Sequence, residues 1–195
     1  MVHSVGLLGG MFDPVHLGHL SIAEAYLKSE IINELWVIPS FSPPHKRNTA
    51  VTDFEHRVAM LQRAFATMPG VVIRDIERSL PSPNYTIQTL EALRKQYPDT
   101  KFYWCIGSDN LHSLNTWFNY EHILEGWKLL VATRPDFETS RIPESIRSRC
   151  LFVENKPRNI SSTSVRFALY NTGVSADIPK AVLDYIREFK LYQSS

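Results

Sequence analysis

Near the N-terminus, an apolar segment, a glycine pair and a helical pattern follow one another directly. Residues 5–8 have the apolar character of a buried strand, and residues 17–29 have the spacing and composition of a helix. The adjacent Gly9 and Gly10 allow the backbone to approach a bulky ligand closely, and the first amides of a helix attract anions. The order predicts a strand, a glycine turn and a helix start that faces a phosphate.

Two histidines, His16 and His19, lie three residues apart at this helix start. If the first turn is helical, both imidazoles share one face and could donate hydrogen bonds to phosphoryl oxygens. A zinc pair is the competing interpretation, but no cysteine is near in sequence and the H-E-x-x-H arrangement is absent. Simple helix capping would explain either histidine alone. Both together, after a glycine turn shaped by Asp13-Pro14, favour the anion site.

Composition limits the classes of partner. The chain has 195 residues, 44% of them hydrophobic, which suffices for one domain (residues 1–195) with its C-terminal helices packed on it. Lysine and arginine number 21 against 20 acidic residues, so the net charge of +1 argues against general nucleic-acid or membrane-surface binding. Cys105 and Cys150 lie in apolar runs, which favours buried free thiols. Without a signal peptide or an apolar run of ~20 residues, the expected location is the cytoplasm.

Strand-like and helix-like segments alternate along the chain. The predicted strands are residues 5–8, 35–38, 71–76, 102–106, 129–133 and 151–153. The predicted helices are residues 17–29, 53–67, 86–97, 120–125, 162–170 and 180–189, and Thr52 with Glu55 has the spacing of a capping box for the second. This alternation predicts an α/β fold with a doubly wound, mostly parallel, Rossmann-like sheet, helices on both faces and a ligand crevice at the carboxyl ends of the strands.

Two proline-rich segments lie where they could border that crevice. The first holds His45, Lys46 and Arg47 together as a cationic tip, or is an ordinary solvated loop. The second ends in a cap at Asn84 or Thr86, which leaves the amide of Thr86 or its neighbours free to meet an anion. On sequence alone, the second segment is merely the N-terminus of a helix.

The two following strand ends carry further candidates. Gly107 and Asp109 pair a small residue with an acid that could bond ribose hydroxyls, although Asp109 could also be a plain helix cap. Trp117 offers a flat face for stacking, or packs in the core from a helix. Arg134 could bind phosphate in the crevice or pair with a surface acid.

A cluster of hydroxyl residues opens the predicted helix at residues 162–170. Ser162 and Thr163 belong to this cluster, in which one hydroxyl would suffice as a helix cap. Arg166 lies one turn further on the same face. Amides and hydroxyls could hold the β- and γ-phosphates of a nucleotide while Arg166 supplies a planar charged fork. The alternative is one cap and one exposed arginine.

The segment from Gly9 to His19 resembles the H-x-G-H signature of the adenylyltransferase superfamily that is distantly related to class I aminoacyl-tRNA synthetases. It is most similar to the form found in bacterial nicotinate mononucleotide adenylyltransferases. Further similar segments are Pro43-Pro44-His45-Lys46, Tyr85-Thr86-Ile87, Gly107-Ser108-Asp109, Thr133-Arg134-Pro135 and Ile160-Ser161-Ser162-Thr163-Ser164-Val165-Arg166. The resemblance therefore extends over most of the chain.

The resemblance implies that nicotinate mononucleotide and ATP give nicotinate adenine dinucleotide and pyrophosphate, by direct attack on the α-phosphate. The implied catalytic residues are His16, His19, Lys46 and Arg166. The implied ATP-binding residues are Gly9, Gly10, Phe12, His16, His19, Gly107, Asp109, Ile160, Ser162, Thr163 and Arg166. The implied acceptor-binding residues are Met11, Lys46, Tyr85, Thr86, Trp117, Phe118 and Arg134. Many relatives have tyrosine at the position of Phe118, which matters only if the contact is through a hydroxyl.

No Walker motif and no nucleophile with a partnered base is present, which fits direct displacement. Mg²⁺ is expected to be held mainly by the ATP phosphates and water, because no carboxylate cluster marks a metal site. The sequence is compatible with a homo-oligomer. Two alternatives are a phosphopantetheine adenylyltransferase and a nucleotide-binding regulator without turnover. Tyr85, Thr86 and Trp117 suit a flat charged ring better than a flexible thiol arm, and the intact catalytic set argues against a regulator.

Overall fold

The computed structural model describes residues 3–43, 51–134, 137–156 and 158–193. Within these ranges the chain forms a six-stranded sheet and eight α-helices. The strands are β1 (His3–Gly10), β2 (Glu34–Pro39), β3 (Val71–Ile73), β4 (Thr100–Gly107), β5 (Lys128–Thr133) and β6 (Cys150–Glu154).

The helices alternate with these strands. They are α1 (Leu17–Lys28), α2 (Phe54–Phe65), α3 (Thr86–Gln96), α4 (Ser108–Leu111), α5 (Tyr120–Gly126), α6 (Glu144–Arg147), α7 (Ser162–Thr172) and α8 (Lys180–Glu188). Short 3₁₀ turns cover Ile76–Ser79, Leu114–Thr116 and Thr139–Arg141. No helix in the described ranges is long and apolar enough to cross a membrane.

All strand pairs are parallel, in the order β3-β2-β1-β4-β5-β6. The order reverses between β1 and β4, where Val5 pairs with Phe102 and Leu8 with Cys105. In a sheet of this kind, connections leave the two central strands in opposite directions and open a crevice at their carboxyl ends. The prediction of a doubly wound sheet is confirmed, and it is wholly parallel.

The sheet separates two hydrophobic clusters, as the period of two along β1 requires. Val5 and Leu7 face a cluster that includes side chains of α3, α5 and α6, while Leu8 faces a cluster that includes α1, α2, α7 and α8. Both faces of the sheet are therefore covered by helices. Cys105 and Cys150 are buried free thiols, as predicted.

Several predicted boundaries are wrong. The third strand ends at Ile73 rather than at residue 76, because Ile76 lies in a 3₁₀ turn that buries Glu77. Thr52 does not cap α2: the N-cap is Asp53, and the carbonyl of Thr52 accepts a hydrogen bond from Nε of Arg57 at 2.9 Å.

The caps and turns around two predicted site segments also differ from expectation. The N-cap of α3 is Tyr85, whose amide donates to Oε1 of Gln88 at 2.9 Å, so neither Asn84 nor Thr86 caps this helix. Trp117 follows a 3₁₀ turn instead of lying within a helix. In both cases the chain satisfies its backbone locally with a partner that the sequence pattern did not single out.

Candidate active site

The loop between β1 and α1, residues 11–16, lies at the carboxyl end of a central strand beside the reversal point of the sheet. Residues 5–8 are fully buried between the two clusters, and α1 begins at Leu17 with His16 as its N-cap. The fold thus brings the predicted phosphate-facing helix start to the crevice. We call residues 11–16 the signature loop.

The glycine pair makes room for the protein's own aromatic rings. A Cβ atom at Gly9 would lie 2.7 Å from Cη2 of Trp104, and one at Gly10 would lie 3.0 Å from the ring of Phe12. The side chain of Trp104 therefore occupies the space that the sequence analysis assigned to a ligand at Gly9. The two glycines still border cavities, so a ligand can approach them from another side.

The two histidine rings are stacked. Their centroids are 3.7 Å apart with an interplanar angle of 28°, and Phe12 packs edge-on against His19 at 4.9 Å. Gly18 is needed for this arrangement, because a Cβ atom there would lie 3.0 Å from Cε1 and Nδ1 of His16. The glycine of the H-x-G-H pattern thus allows the imidazole of His16 to lie against the helix start.

One hydrogen bond fixes the proton of His19. The amide of His16 donates to Nδ1 of His19 at 3.2 Å, so in the neutral ring the proton is on Nε2. Burial lowers the pKa of His16 to about 4, opposed by the nearby Asp177. Burial and then the charge of His16 lower the pKa of His19 to about 3. At neutral pH both rings are uncharged, and His19 has its Nε2–H free for a ligand.

The first cavity lies along this histidine pair and has a volume of about 330 Å³. It extends past the carboxyl ends of β4 and β5. Among the residues that line it are His16, His19, Ser108, Asp109, Arg158 and Ile160. Its walls thus combine two neutral imidazoles with groups from the strand ends on the far side of the reversal point.

The second cavity, of about 290 Å³, lies beside the first and is more aromatic. Tyr85 and Phe118 border it with ring centroids 4.6 Å apart, and Thr86 lines it at the first position of α3. The two cavities share Gly9, Trp104, Asn110 and Trp117. A ligand in one would therefore meet a ligand in the other across these shared residues.

The structure brings together most of the residues implied by the family resemblance. Gly9, His16, His19, Gly107, Asp109, Ile160, Trp117 and Arg134 line the first cavity. Gly9, Gly10, Tyr85, Thr86, Trp117 and Phe118 line the second. Arg134 and Asp109 form an ion pair at 2.6 Å between largely exposed side chains, so Arg134 takes the acid partner that the sequence analysis left as its alternative. Asp109 is not the cap of α4, since that position is Gly107.

Several other residues implied by the resemblance do not line either cavity. The ring of Phe12 is 2% exposed, and Met11 borders a separate groove beside Phe41. Ser162, Thr163 and Arg166 line neither of the two cavities. Lys46 lies outside the described residues. Side chains of the α7 start are engaged with the protein itself.

Those α7 side chains hold the signature loop. Nη1 of Arg166 donates to the carbonyl of Asp13 at 2.6 Å, and Nη2 donates to Oγ1 of Thr163 at 3.3 Å. The hydroxyl of Ser162 donates to the carbonyl of Pro14 at 3.0 Å. The arginine fork and one of the surplus hydroxyls therefore have protein partners that sequence analysis did not foresee.

Arg57 is a residue that sequence analysis missed. It is 2% exposed, and Nη1 donates to the carbonyls of Met11 and Ser40, each at 2.9 Å. Burial lowers its pKa, opposed by the charge of Asp13. A signal was available, because Arg57 lies on the apolar face of α2 with Phe54 and Leu61, where a lone arginine needs buried acceptors. Trp104 and Asn155, which line the first cavity, were also missed.

Comparison with known proteins gives one consistent family. The family described as cytidylyltransferase-like matches residues 7–168. A probable nicotinate-nucleotide adenylyltransferase of Oceanobacillus iheyensis is 34% identical, over 98% of this chain and 97% of its own. The nicotinate-nucleotide adenylyltransferase of Bacillus subtilis is 32% identical, over 97% and 98%.

Solved structures agree in fold. The nicotinic acid mononucleotide adenylyltransferase of Plasmodium falciparum, complexed with NaAD, superposes with a TM-score of 0.81 at 21% identity and covers 97% of both chains. At that identity the likeness shows the fold alone, but the matching relatives extend over almost the whole sequence. By its sequence and its fold, the chain belongs to the cytidylyltransferase-like family and, within it, to the nicotinate-nucleotide adenylyltransferases.

Proposed function

We propose that this protein joins nicotinate mononucleotide and ATP to give nicotinate adenine dinucleotide and pyrophosphate, as a step of NAD biosynthesis. Relatives with the corresponding names match along almost their full length. The observation that carries the proposal is the pair of adjoining cavities, one along two neutral histidines and one lined by aromatic rings, with Trp104 in both. The cytoplasmic location stays a prediction.

In this proposal ATP occupies the first cavity and nicotinate mononucleotide the second. The crevice beyond the reversal point is the usual nucleotide position in a doubly wound sheet. A flat pyridine ring could stack on an aromatic side chain that lines this cavity, such as Phe118 or Trp117. The phosphate of the mononucleotide and the α-phosphate of ATP would then meet beside Gly9, where the cavities join.

The reaction is a single displacement. A phosphate oxygen of the mononucleotide forms a bond to the α-phosphorus of ATP, and the bond from that phosphorus to the bridging oxygen of the β-phosphate breaks. The bonding electrons leave with pyrophosphate. Because no covalent enzyme intermediate is required, the protein contributes positioning and charge stabilisation.

His19 is the best-placed group for that stabilisation. Its Nδ1 is occupied by the amide of His16, which aims Nε2–H away from the backbone as a donor to phosphoryl oxygen. The stacked ring of His16 and the edge of Phe12 restrict its rotation. We assign Lys46 and Arg166 phosphate contacts from the family resemblance; for Arg166 this would be in addition to its bond to Asp13.

We propose that Mg²⁺ binds together with ATP. In the described ranges no three histidine, cysteine, aspartate or glutamate side chains converge as a metal site. The donors that a hard cation prefers are oxygens, and two stacked imidazoles are poor ligands for it. The ion would be held by phosphate oxygens and water, where it would neutralise the charge of the polyphosphate.

We expect strong preference for the acid mononucleotide over its nicotinamide counterpart. Thr86 is the first residue of α3, where backbone amides have no helical acceptor and would bond a carboxylate. A carboxamide would turn its own NH₂ toward such a donor, and each mismatched buried group costs about 1 to 3 kcal/mol. The combined effect should be roughly 10² or more in kcat/KM.

The test measures pyrophosphate release from ATP with nicotinate mononucleotide, nicotinamide mononucleotide and phosphopantetheine as separate acceptors. Turnover with the acid mononucleotide and roughly 10²-fold less with the amide is expected. Trp117→Ala is the matched control, because stacking serves either pyridine ring and both rates should fall together. Preference for phosphopantetheine, or no turnover at all, would overturn the assignment.

A further inference from the structure

The signature loop is tied to the far end of the chain. The hydroxyl of Tyr192 donates to Oδ1 of Asp13 at 2.6 Å, across 179 residues of sequence. Asp13 is 5% exposed and follows Phe12, whose φ of 50° is uncommon for a bulky residue. A buried carboxylate next to an unfavourable backbone conformation needs a partner to hold it, and Tyr192 provides one.

The backbone after α8 is shaped to bring Tyr192 there. Helix α8 ends at Glu188, and Lys190 and Tyr192 both have left-handed φ values, of 52° and 58°. The amide of Leu191 returns to the carbonyl of Ile186 at 2.9 Å. Leu191 and Tyr192 both pack against the cluster that includes α1, α2 and α7. The last turn therefore folds back onto the body of the protein.

The direction of the bond is fixed by the environment of the hydroxyl. Burial raises the pKa of Tyr192 well above its usual range, and the hydrogen bond to Asp13 adds to that effect. The phenol therefore stays protonated and donates, while the carboxylate accepts. Arg57 and Arg166 lie near enough to offset the charge of Asp13.

Asp13 thus receives contacts from two distant elements. Its side chain accepts from Tyr192 after α8, and its carbonyl accepts from Arg166 on α7. His16 follows three residues later, and its amide orients the ring of His19. A shift of Asp13 would pass along this short loop to the histidine pair.

We propose that Tyr192 is a positioning residue for the transfer reaction: its bond to Asp13 sets the position of the signature loop and, through it, the direction of the Nε2–H of His19. The kinetic part of this inference rests on the proposed function. A misplacement of a catalytic group by even a fraction of an ångström lowers the rate of the chemical step more than it weakens substrate binding.

The experiment compares Tyr192→Phe with Tyr185→Phe. Tyr185 lies on α8, and its hydroxyl bonds at 2.8 Å to Nδ1 of His56, which belongs to α2 and not to the signature loop. Each variant keeps its ring and loses the hydrogen bonds of one hydroxyl, which for Tyr192 include a contact with Thr52 besides the bond to Asp13. For Tyr192→Phe we expect kcat to fall about five- to tenfold with KM for ATP changed less than about twofold. Tyr185→Phe should leave both constants unchanged.

A second readout does not depend on activity. Amide hydrogen exchange across residues 11–19 of the ligand-free protein should become about fivefold faster in Tyr192→Phe, as for the loss of one ordinary hydrogen bond. Tyr185→Phe should show wild-type exchange in the same segment. If the wild type releases no pyrophosphate, the proposed function fails, and this exchange comparison still tests the role of Tyr192.

Coupling to Asp13 completes the test. In an Asp13→Ala background, Tyr192→Phe should change kcat and loop exchange by less than about twofold, because its partner is already gone. Additive effects there would overturn the proposal, as would identical behaviour of Tyr192→Phe and Tyr185→Phe. If Asp13→Ala does not fold, the comparison between the two phenylalanine variants decides the question alone.

Discussion

Two helix starts, those of α1 and α7, have the kind of sequence that favours a phosphate site, and the structure treats them differently. At the start of α1, His16 is buried and the histidine pair faces a cavity. At the start of α7, Ser161 is exposed, and its hydroxyl accepts from the amide of Ser164 at 3.0 Å. Both starts satisfy part of their own backbone with side chains, but only the start of α1 also presents those side chains to a ligand space.

The difference shows what a surplus of polar groups at a helix start can do. Ser162 and Arg166 extend from α7 to the carbonyls of Pro14 and Asp13, which belong to the other helix start. Polar side chains that suggest a ligand site in sequence thus serve to hold the loop that forms one.

His19→Ala should reduce turnover by about 10² to 10³, the usual cost of removing one donor aimed at developing charge. Binding of ATP should weaken far less, because the donor acts mainly in the transition state. Steady-state kinetics and nucleotide titration on the same folded variant measure both effects. If turnover stays within a few-fold of wild type, the start of α1 does not supply a catalytic donor, and the proposed functional difference from the start of α7 is wrong.

Acid should destabilise the protein through the same histidines. Their folded pKa values, about 4 for His16 and about 3 for His19, lie below the ordinary 6.5, so the unfolded chain binds more protons as pH falls. Each should lower the free energy of unfolding by about 2 kcal/mol between pH 6.5 and 5. This contribution is complete above pH 6.5 and declines below it.

Denaturant unfolding at the two pH values checks this, with His19→Gln as the comparison. The variant lacks one titrating ring, so its loss of stability on acidification should be about 2 kcal/mol smaller than that of the wild type. The carboxylates titrate equally in both proteins, so their contributions to the difference in stability cancel. An equal loss in the two proteins would mean that His19 is not held neutral by burial.

Arg166→Lys keeps the charge and loses the planar fork, so it can hold only one of the partners Asp13 and Thr163. We expect kcat to fall about tenfold through the loosened loop, the effect of one charge-assisted hydrogen bond. Steady-state kinetics that give kcat and KM for ATP separately distinguish an effect on the chemical step from an effect on nucleotide binding. A change confined to KM for ATP would show that the guanidinium acts only through nucleotide phosphates and not through the signature loop.

The smallest effects distinguish neighbouring serines at the start of α7. Ser161→Ala removes the helix cap and should cost about 1 kcal/mol of stability without affecting turnover. Ser162→Ala removes the bond to Pro14 and should lower kcat by about two- to fivefold. Thermal unfolding and pyrophosphate release on both variants test the pair. Equal kinetic effects would show that α7 does not act on the signature loop through Ser162.

Sequence patterns predicted the order of strands and helices well, because the strands contain short apolar runs and helices such as α2 and α8 have a clear apolar face. They failed at Ile76, where an apolar residue belongs to a 3₁₀ turn, and at Thr52, where the helix begins without the expected cap. At both places the backbone is satisfied by short-range hydrogen bonds: Nε of Arg57 donates to the carbonyl of Thr52, and the amide of Leu80 donates to the carbonyl of Glu77. Residue propensity alone does not specify which of several local partners is used.

The sequence by itself determined the parallel sheet, the helix start at His16 and the family, since these depend on periodicity and on contiguous motifs. Only the tertiary structure decided that Trp104 fills the space at Gly9, that Arg166 holds Asp13, and that Tyr192 reaches the same residue. Packing and buried hydrogen bonds join residues that are distant along the chain. Which donor meets which acceptor is fixed when the core excludes water, because unpaired groups there are costly.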